Sequence, residues 1–439
     1  MTTVSWNIRG LRAALANGTA QPSDLANQAL ARANGNSGRN TYLWQDAAWT
    51  LAEAARASSM PRSEGGPFGD GRAPLWGLPI SVKDCFDLAG TPTTCGTHFY
   101  RDLNSNAVCD SWLVEQLRAS GAVITGKTHL HPLAYGITGE NPDYGDSLQP
   151  RDATVLTGGS SSGAAASVQE GSAVAAIGTD TGGSVRAPAA LCGLAGYRAS
   201  LGRGDWRGGA HLAQSFDTMG WLFRDLEDAP LLASPFAPES ASAISKCSSF
   251  AVIGENFLHD CEPEIIAGLR ATAGELEALG LRPSTFNADW WADSREIFAP
   301  IQAWEAARLH ADNFHHFESL IRERLEWGAR ITGDEIKALR ARHNAFRIRM
   351  DELFATHELL LLPAIPVARL AAGADHSKTR ARLLRYTTPF SLAGVPVVTI
   401  PCPHGGMQLA AARGNDEALL QLAGQLGARR NAVTSSSRA

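Results

Sequence analysis

Residues 157–188 constrain the fold more than any other segment of the chain, because they combine many small residues with very few charges. Glycine, serine, threonine and alanine dominate the segment, and its charged residues are Glu170, Asp180 and Arg186. A flexible Gly/Ser linker is polar along its length, whereas here apolar residues such as Val155, Leu156 and Val168 bracket the glycines. We therefore interpret residues 157–188 as folded structure and not as a linker between domains.

Strand and helix patterns alternate along the rest of the chain, which predicts an α/β layered protein. Apolar runs predict buried strands at residues 78–84, 121–125, 359–362 and 395–400. Apolar residues at helical spacing predict a helical hairpin over residues 8–33 and a helix over residues 112–119. Residues 262–350 are amphipathic and rich in arginine and glutamate, which predicts a helical layer or a cap over the sheet.

Composition excludes several classes of protein. The 439 residues contain 39 basic and 44 acidic side chains, and the formal net charge of −5 disfavours nucleic acid as the main partner. No run of about 18 apolar residues occurs, and no basic stretch opens the chain, so we expect neither a membrane span nor a secretion signal. The 7 cysteines form no CxxC pair, which is typical of free thiols in a reducing compartment. We expect a cytoplasmic protein.

One local pattern matches a phosphate-binding loop. Gly121–Thr128 fits GxxxxGK[ST], in which backbone amides wrap around a phosphate after a strand. Here the middle of the pattern is Val123 and Ile124, which favour the strand itself, and no later strand ends in a metal-binding aspartate. A nucleotide-binding protein that uses Lys127 is therefore a distant alternative.

Two further patterns suggest other chemistry. Gly159–Gly163 fits the GxSxG nucleophile elbow with Ser161 as nucleophile, but it lacks a long preceding strand and a histidine in a recognisable setting. His129 and His131 alternate as two zinc ligands would, yet no third ligand is evident. We expect no metal site.

The two glycine clusters and one lysine together form a more specific pattern. Residues 157–163 read TGGSSSG, residues 178–188 read GTDTGGSVRAP, and Lys83 follows the apolar run that begins at residue 77. In these motifs the chain resembles the amidase signature family of serine hydrolases, including the separation 184 − 160 = 24 between two of the serines. The resemblance covers nearly the whole chain, with further matching segments at residues 121–128, 140–142, 215–218 and 386–394.

The resemblance implies a catalytic trio with an oxyanion hole. It assigns Ser184 as the nucleophile that forms an acyl-enzyme, Ser160 as the bridging serine, and Lys83 as the base. It also implies a cis peptide bond between Gly159 and Ser160. Backbone amides close to the substrate would hold the oxyanion, and those implied are at Thr181, Gly182, Gly183 and Ser184.

The resemblance also implies a fold. The expected class is α/β, with a large central mixed β-sheet covered by helices on both faces. We expect a single domain over residues 1–439, with a catalytic core at about 60–230. The helical layer or cap at about 262–350 would then lie near the active site.

The role of base sets a requirement on Lys83. An exposed lysine has a pKa of about 10.4 and is charged at neutral pH, so it takes no proton from a hydroxyl. Burial disfavours the ammonium form and lowers the pKa by several units. The neighbours Pro79, Ile80, Val82 and Phe86 predict such burial.

Residues around this core suggest orientation and specificity roles. Asp180 and Arg186 flank the nucleophile, and we expect them to orient its loop through hydrogen bonds. By the resemblance, the substrate pocket includes Ala134, Tyr135, Gly136 and Ile137.

The expected activity is hydrolysis of a C–N bond in a small or aryl amide, without a cofactor. Aryl esters and carbamates pass through the same kind of oxyanion, so a carbamate-specific hydrolase (a urethanase) is an alternative. A catalytically silent binding module is a distant alternative, because all three catalytic residues are present. The expected partner is a small-molecule amide, ester or carbamate, with no nucleic acid and no membrane, and the protein would be a monomer or homodimer.

Overall fold

The central feature of the fold is one large sheet. The computed structural model describes residues 5–60, 68, 73–233, 236 and 247–436. The strands in these ranges are β1 (Tyr42–Trp44), β2 (Pro79–Lys83), β3 (Val123–Thr128), β4 (Leu148–Gln149), β5 (Asp152–Leu156), β6 (Ala175–Asp180), β7 (Ala195–Arg198), β8 (Thr218–Phe223), β9 (Ser249–Ile253), β10 (Arg282–Phe286), β11 (Leu359–Pro363), β12 (Val397–Pro401) and β13 (Gly406–Ala411). An 11-stranded sheet has the order β1-β3-β2-β6-β8-β7-β12-β13-β11-β9-β10, and β4 pairs with β5 separately.

The large sheet is mixed. β2 lies between β3 and β6 and is parallel to both, and β9 is parallel to β10 and β11. Other pairs, such as β6 with β8 and β12 with β13, are antiparallel. Every residue of β2, β3, β6, β8 and β11 is buried, which requires cover on both faces of the sheet. The predicted α/β class with a central mixed sheet is confirmed.

Helices cover the sheet. They are α1 (Ile8–Ala16), α2 (Pro22–Gly35), α3 (Ala47–Ser58), α4 (His98–Leu103), α5 (Trp112–Ala119), α6 (Ser162–Glu170), α7 (Arg186–Leu191), α8 (Pro263–Glu277), α9 (Ser294–Leu309), α10 (Ser319–Arg330), α11 (Gly333–Thr356), α12 (Ser377–Ala393) and α13 (Asp416–Ser436). The stretch 262–350 holds α8 to α10 and most of α11, but it also contributes β10 at the sheet edge, which its amphipathic pattern did not predict. In the ranges that the structure describes, no helix is long and apolar enough to cross a membrane.

The strand order brings the glycine-rich segments and the lysine to one end of the sheet. β2 and β6 are parallel neighbours, with Val82 opposite Ile177, so their carboxyl ends lie side by side. β2 ends at Lys83, and β6 ends at Asp180 just before the loop that carries Ser184. Ligand sites of open α/β sheets lie at the carboxyl ends of strands, and this is where the predicted catalytic residues lie.

Candidate active site

Lys83 lies at the carboxyl end of β2 and contacts three hydroxyl groups. Its side chain is 0% exposed. The Nζ atom is 2.8 Å from Ser160 Oγ, 3.1 Å from Ser161 Oγ and 2.7 Å from Thr179 Oγ1. Within the described residues, Nζ forms no ion pair with a carboxylate. The structure therefore brings the predicted base and the predicted bridging serine into hydrogen-bond contact.

The charge of Lys83 is disfavoured in this environment. Burial lowers the pKa of Lys83 to about 8, and the nearby Cys85, Asp217 and Asp180 oppose that shift without cancelling it. Transfer of a charged group into a poorly solvated site costs free energy unless an opposite charge compensates it. Lys83 is therefore an amine that loses its proton near physiological pH, as a general base requires.

The hydroxyl partners of Lys83 also direct its lone pair. A neutral amine has two N–H donors and one lone pair. Ser161 Oγ donates its own proton to the Thr179 carbonyl (3.2 Å), so toward Lys83 it acts as an acceptor. If the Thr179 hydroxyl accepts the second N–H, the remaining lone pair points at Ser160. Thr179 was not predicted, although it lies within the second glycine cluster.

Ser160 and Ser184 lie on adjoining segments. The peptide bond between Gly159 and Ser160 is cis, as the resemblance implies. The Ser161 amide donates to the Ser184 carbonyl (3.2 Å), which joins the two glycine clusters. Ser184 is 4% exposed, and its Oγ makes no hydrogen bond to any residue that the structure describes. The hydrogen bond between the two serines that are predicted to be catalytic is thus not formed here, and such bonds often tighten only around bound substrate.

The loop from Thr181 to Ser184 (the nucleophile loop) carries the backbone amides that are predicted to bind an oxyanion. The amides of Thr181, Gly182 and Ser184 make no hydrogen bond within the described part of the chain. The Gly183 amide differs from the prediction, because it donates to Asp180 Oδ1 (2.9 Å). A donor that already serves a carboxylate is not available to a substrate, so the available set is Thr181, Gly182 and Ser184.

Asp180 holds this loop through a buried network of hydrogen bonds. Its carboxylate accepts from the Val185 amide (3.1 Å) and from the guanidinium groups of Arg186 (2.9 Å) and Arg198 (2.8 Å). Burial alone would raise the pKa of the Asp180 carboxyl, but the two arginines outweigh it and hold the pKa well below its ordinary range. Arg198 was not predicted, because it lies on β7, outside both glycine clusters.

Helices α9 and α12 also contact the nucleophile loop, from outside the core expected at about 60–230. Thr387 on α12 donates to the Gly182 carbonyl (2.5 Å), and Arg186 donates to the Thr387 carbonyl (2.8 Å). A Cβ atom on Gly182 would lie 2.9 Å from Phe298 Cζ on α9 and 3.4 Å from Leu384 Cδ2 on α12. The close approach of these side chains explains a glycine at this position. Sequence reasoning assigned no role to Thr387, Phe298 or Leu384.

The predicted pocket residues, 134–137, lie beside α10. Tyr135 and Ile137 are buried, whereas the two small residues of the segment, Ala134 and Gly136, are only partly buried. The Tyr135 carbonyl accepts hydrogen bonds from Arg324 on α10 (2.8 Å) and Arg380 on α12 (3.2 Å). These contacts fix the backbone of the segment and leave its small residues as the accessible part.

The two histidines of the HxH pattern have contacts within the protein. His129 contacts Ser162 Oγ through Nδ1 (2.8 Å) and the Gly145 carbonyl through Nε2 (2.9 Å). His131 packs against the pocket segment, since a Cβ atom on Gly136 would lie 2.1 Å from its Nε2. Among the residues in the described ranges, no three His, Cys, Asp or Glu side chains are grouped as a metal site would require.

Lys127, the lysine of the phosphate-loop pattern, is a structural residue. It lies in β3, its side chain is buried, and its Nζ is 2.6 Å from Asp84 Oδ1 and 2.7 Å from the Pro92 carbonyl. The segment that would have to wrap around a phosphate is thus a strand inside the sheet. This arrangement is incompatible with the phosphate-loop interpretation of Gly121–Thr128.

Comparisons with known proteins agree with this geometry. A family model described as Amidase matches residues 25–420. The chain belongs to the amidase signature family. The 1-carboxybiuret hydrolase subunit AtzE of Pseudomonas sp. (strain ADP) is 30% identical, with 93% of this chain and 95% of that protein covered. Indoleacetamide hydrolase of Pseudomonas savastanoi is 32% identical, with 79% of this chain and 82% of that protein covered.

Solved structures of the amidase signature family have the same architecture. The crystal structure of an amidase aligns with a TM-score of 0.85 at 29% identity, covering 96% of this chain and 99% of that one. Together with the family match, this likeness establishes an amidase-type hydrolase that acts on C–N bonds.

Proposed function

We propose that this amidase hydrolyses the C–N bond of a small or aryl amide through an acyl-enzyme on Ser184. The observation that carries the proposal is the setting of Lys83, a fully buried amine whose Nζ lies 2.8 Å from Ser160 Oγ. A lysine in this setting is a proton acceptor and not a structural cation. Its place beside the loop of Ser184 makes that serine the candidate nucleophile.

Acylation begins with Lys83 uncharged. Lys83 takes the proton of Ser160 while Ser160 takes the proton of Ser184, so that Ser184 Oγ can bond to the carbonyl carbon of the substrate. The carbonyl π electrons move onto oxygen, where the amides of Thr181, Gly182 and Ser184 stabilise the negative charge. When the carbonyl re-forms, the C–N bond breaks and the leaving nitrogen takes a proton back through Ser160.

Deacylation repeats the same steps with water as the attacking group. Water gives a proton to the Ser160–Lys83 relay and bonds to the acyl carbon. The second tetrahedral species then collapses, the bond to Ser184 Oγ breaks, and Ser184 recovers its proton. The products are a carboxylic acid and an amine or ammonia, and the enzyme returns to its starting state.

The partly exposed side chain beside the nucleophile loop favours an acyl group with apolar character. It belongs to Leu384, which approaches Gly182 and cannot pair with a charged substrate. The relative from Pseudomonas savastanoi is named for an aromatic acetamide, which is consistent with this preference. Aryl esters and carbamates require the same oxyanion stabilisation, so a urethanase is the alternative that the substrate test must separate.

The first test labels the nucleophile. We expect phenylmethanesulfonyl fluoride to add once to the wild type, to leave Ser184→Ala unmodified, and to react slowly with Lys83→Ala, as measured by intact-mass spectrometry. Ser162→Ala is the matched control, because Ser162 belongs to the same cluster but contacts His129. An adduct that persists in Ser184→Ala would overturn the assignment of the nucleophile.

The second test compares substrates. Release of p-nitroaniline from p-nitroacetanilide reports amide hydrolysis, and release of p-nitrophenol from a p-nitrophenyl carbamate reports carbamate hydrolysis. Ammonia release from indoleacetamide tests the apolar acyl preference directly. Turnover of the amides with a higher kcat/KM than the carbamate is expected, and the reverse order would favour the urethanase alternative.

A further inference from the structure

A second carboxylate, Asp217, contacts the nucleophile loop (residues 181–184). Asp217 lies outside both glycine clusters in the sequence. The Thr181 hydroxyl donates to Asp217 Oδ1 at 2.6 Å. Asp217 Oδ2 accepts from His211 Nδ1 at 2.9 Å and from the amides of Leu212 and Ala213, also at 2.9 Å. A chain of hydrogen bonds therefore runs from His211 through Asp217 to Thr181, the first residue of the nucleophile loop.

The histidine of this chain is held in one orientation. Its ring stacks on Trp206, with ring centroids 4.4 Å apart and planes at 25°. Because a carboxylate only accepts, Nδ1 of His211 must carry the proton that it shares with Asp217. The side chain of His211 is 19% exposed whereas that of Asp217 is 2% exposed, so the pair connects a buried acceptor to the surface of the protein.

We propose that His211 and Asp217 are positioning residues for the oxyanion hole, acting through the Thr181 hydroxyl. The proposal rests on the proposed function, since it concerns the backbone amides that would bind the oxyanion formed when Ser184 attacks the substrate. Other contacts hold the backbone of the loop: Asp180 accepts from the Gly183 amide, Thr387 donates to the Gly182 carbonyl, and Thr218 Oγ1 donates to the Asp180 carbonyl at 3.1 Å. Because the Asp180 carbonyl belongs to the same peptide group as the Thr181 amide, Thr218 and Arg198 hold that group from its carbonyl side, and Asp217 holds it through the side chain of Thr181.

Loss of the contact between Thr181 and Asp217 has a specific consequence. An oxyanion donor must lie within hydrogen-bond distance of the oxygen in the transition state, and loss of one such donor reduces kcat by about 100- to 1000-fold in other hydrolases. Displacement of a donor has a smaller effect than its removal. We therefore expect Thr181→Val, which keeps the branched shape without the hydroxyl, to lower kcat by about 10- to 100-fold with KM nearly unchanged.

Variants of His211 distinguish positioning from simple structural support. His211→Leu removes the donor to Asp217 and is expected to lower kcat in the same direction as Thr181→Val. His211→Asn places an amide N–H near the position of Nδ1 and is expected to restore most of that loss. Because the effect passes through one hydroxyl, the double variant Thr181→Val/His211→Leu is expected to be no slower than Thr181→Val alone.

An inhibitor supplies a readout that a structural role would not change. Phenyl trifluoromethyl ketone forms a bond from Ser184 Oγ to its carbonyl carbon, and its oxygen then carries the negative charge in the oxyanion hole. We expect His211→Leu to weaken this inhibitor as much as it lowers kcat, while KM for p-nitroacetanilide stays within about twofold. Ser215→Ala is the matched control, because Ser215 lies in the same segment but its hydroxyl donates to Glu305.

The outcomes are decisive in both directions. The proposal is wrong if His211→Leu lowers the melting temperature but leaves kcat and inhibitor affinity unchanged, or if the two single effects multiply in the double variant. Circular dichroism identifies a variant that fails to fold, and Thr181→Val, which leaves His211 and Asp217 in place, then carries the test, since a wild-type kcat in that variant would contradict the proposal. Failure of the proposed function is distinguishable, since it would show as an inhibitor adduct that persists in Ser184→Ala.

Discussion

The pH dependence of acylation tests whether Lys83 is the base. Because burial lowers its pKa to about 8, the uncharged fraction is about 1% at pH 6, about 10% at pH 7 and about 90% at pH 9. A lysine with the ordinary pKa of about 10.4 would be uncharged in about 0.04% of molecules at pH 7. Burial of this one amine therefore raises the reactive fraction at neutral pH by about 200-fold.

The sign of the dependence follows from the form that reacts. Only the uncharged amine accepts a proton, so the acylation rate should rise about tenfold per pH unit below pH 8 and become constant above about pH 9. The assay is the rate of modification by phenylmethanesulfonyl fluoride, followed by intact-mass spectrometry at constant ionic strength. Lys337→Ala, which changes an exposed lysine on α11, is the matched control and should keep the wild-type profile.

Two results would refute this reasoning. One is a rate that does not change between about pH 6 and 9. The other is a midpoint near pH 6.5 that persists in Lys83→Ala, which would indicate a histidine base. His129 and His131 are poor candidates for that role, since burial lowers their pKa values to about 4 and about 3.

Stability supplies an independent check on the same pKa. Between pH 8 and about 10.4 the unfolded chain holds a proton on Lys83 that the folded chain has lost, so the free energy of unfolding rises with pH across that window. The full difference is about 3 kcal/mol. Urea unfolding should therefore show the wild type gaining stability relative to Lys83→Met as the pH rises, and a difference that falls or stays constant would contradict the assigned shift.

Two further substitutions test the surroundings of the site. Lys127→Met leaves Asp84 as a buried carboxylate without its ion pair, so it should lower the free energy of unfolding in urea by about 3–5 kcal/mol. The double variant Lys127→Met/Asp84→Asn should recover part of that loss. A loss below about 1 kcal/mol in Lys127→Met would show that the pair contributes little. Gly182→Ala places a Cβ atom 2.9 Å from Phe298 Cζ and should lower kcat by about 10-fold or more, because it displaces the loop. The double variant Gly182→Ala/Phe298→Leu should recover part of the rate. A wild-type kcat in Gly182→Ala would contradict the packing argument.

The sequence was sufficient to predict the contacts that depend on short, continuous motifs. Ser160 and Ser184 lie in two glycine clusters, and the strand ending at Lys83 is a clear apolar run. The motifs therefore predicted both this strand and the two serine-bearing segments that lie near its end. The fold class followed from alternating strand and helix patterns, as the apolar run that became β11 illustrates. These elements are local, and local pattern determines them.

Other features depend on contacts between distant segments. Phe298 and Leu384 reach Gly182 from helices far away in the sequence, and no local pattern specifies that approach. β10 was missed because its residues are exposed except for Phe286, so an edge strand resembles a polar loop.

Three buried ionisable residues differ in whether a counterion lies beside them. Lys127 is compensated by Asp84 at 2.6 Å, and Asp180 is compensated by buried arginines that keep it ionised. Lys83 is equally buried, but among the described residues its Nζ contacts hydroxyl groups only. A buried charge without a counterion is relieved by loss of its proton. Among the described residues, the absence of a carboxylate partner is therefore what distinguishes Lys83, the proposed base, from the structural Lys127. A carboxylate introduced beside Lys83, as in Thr179→Asp, should raise the pKa of the amine and abolish acylation at neutral pH.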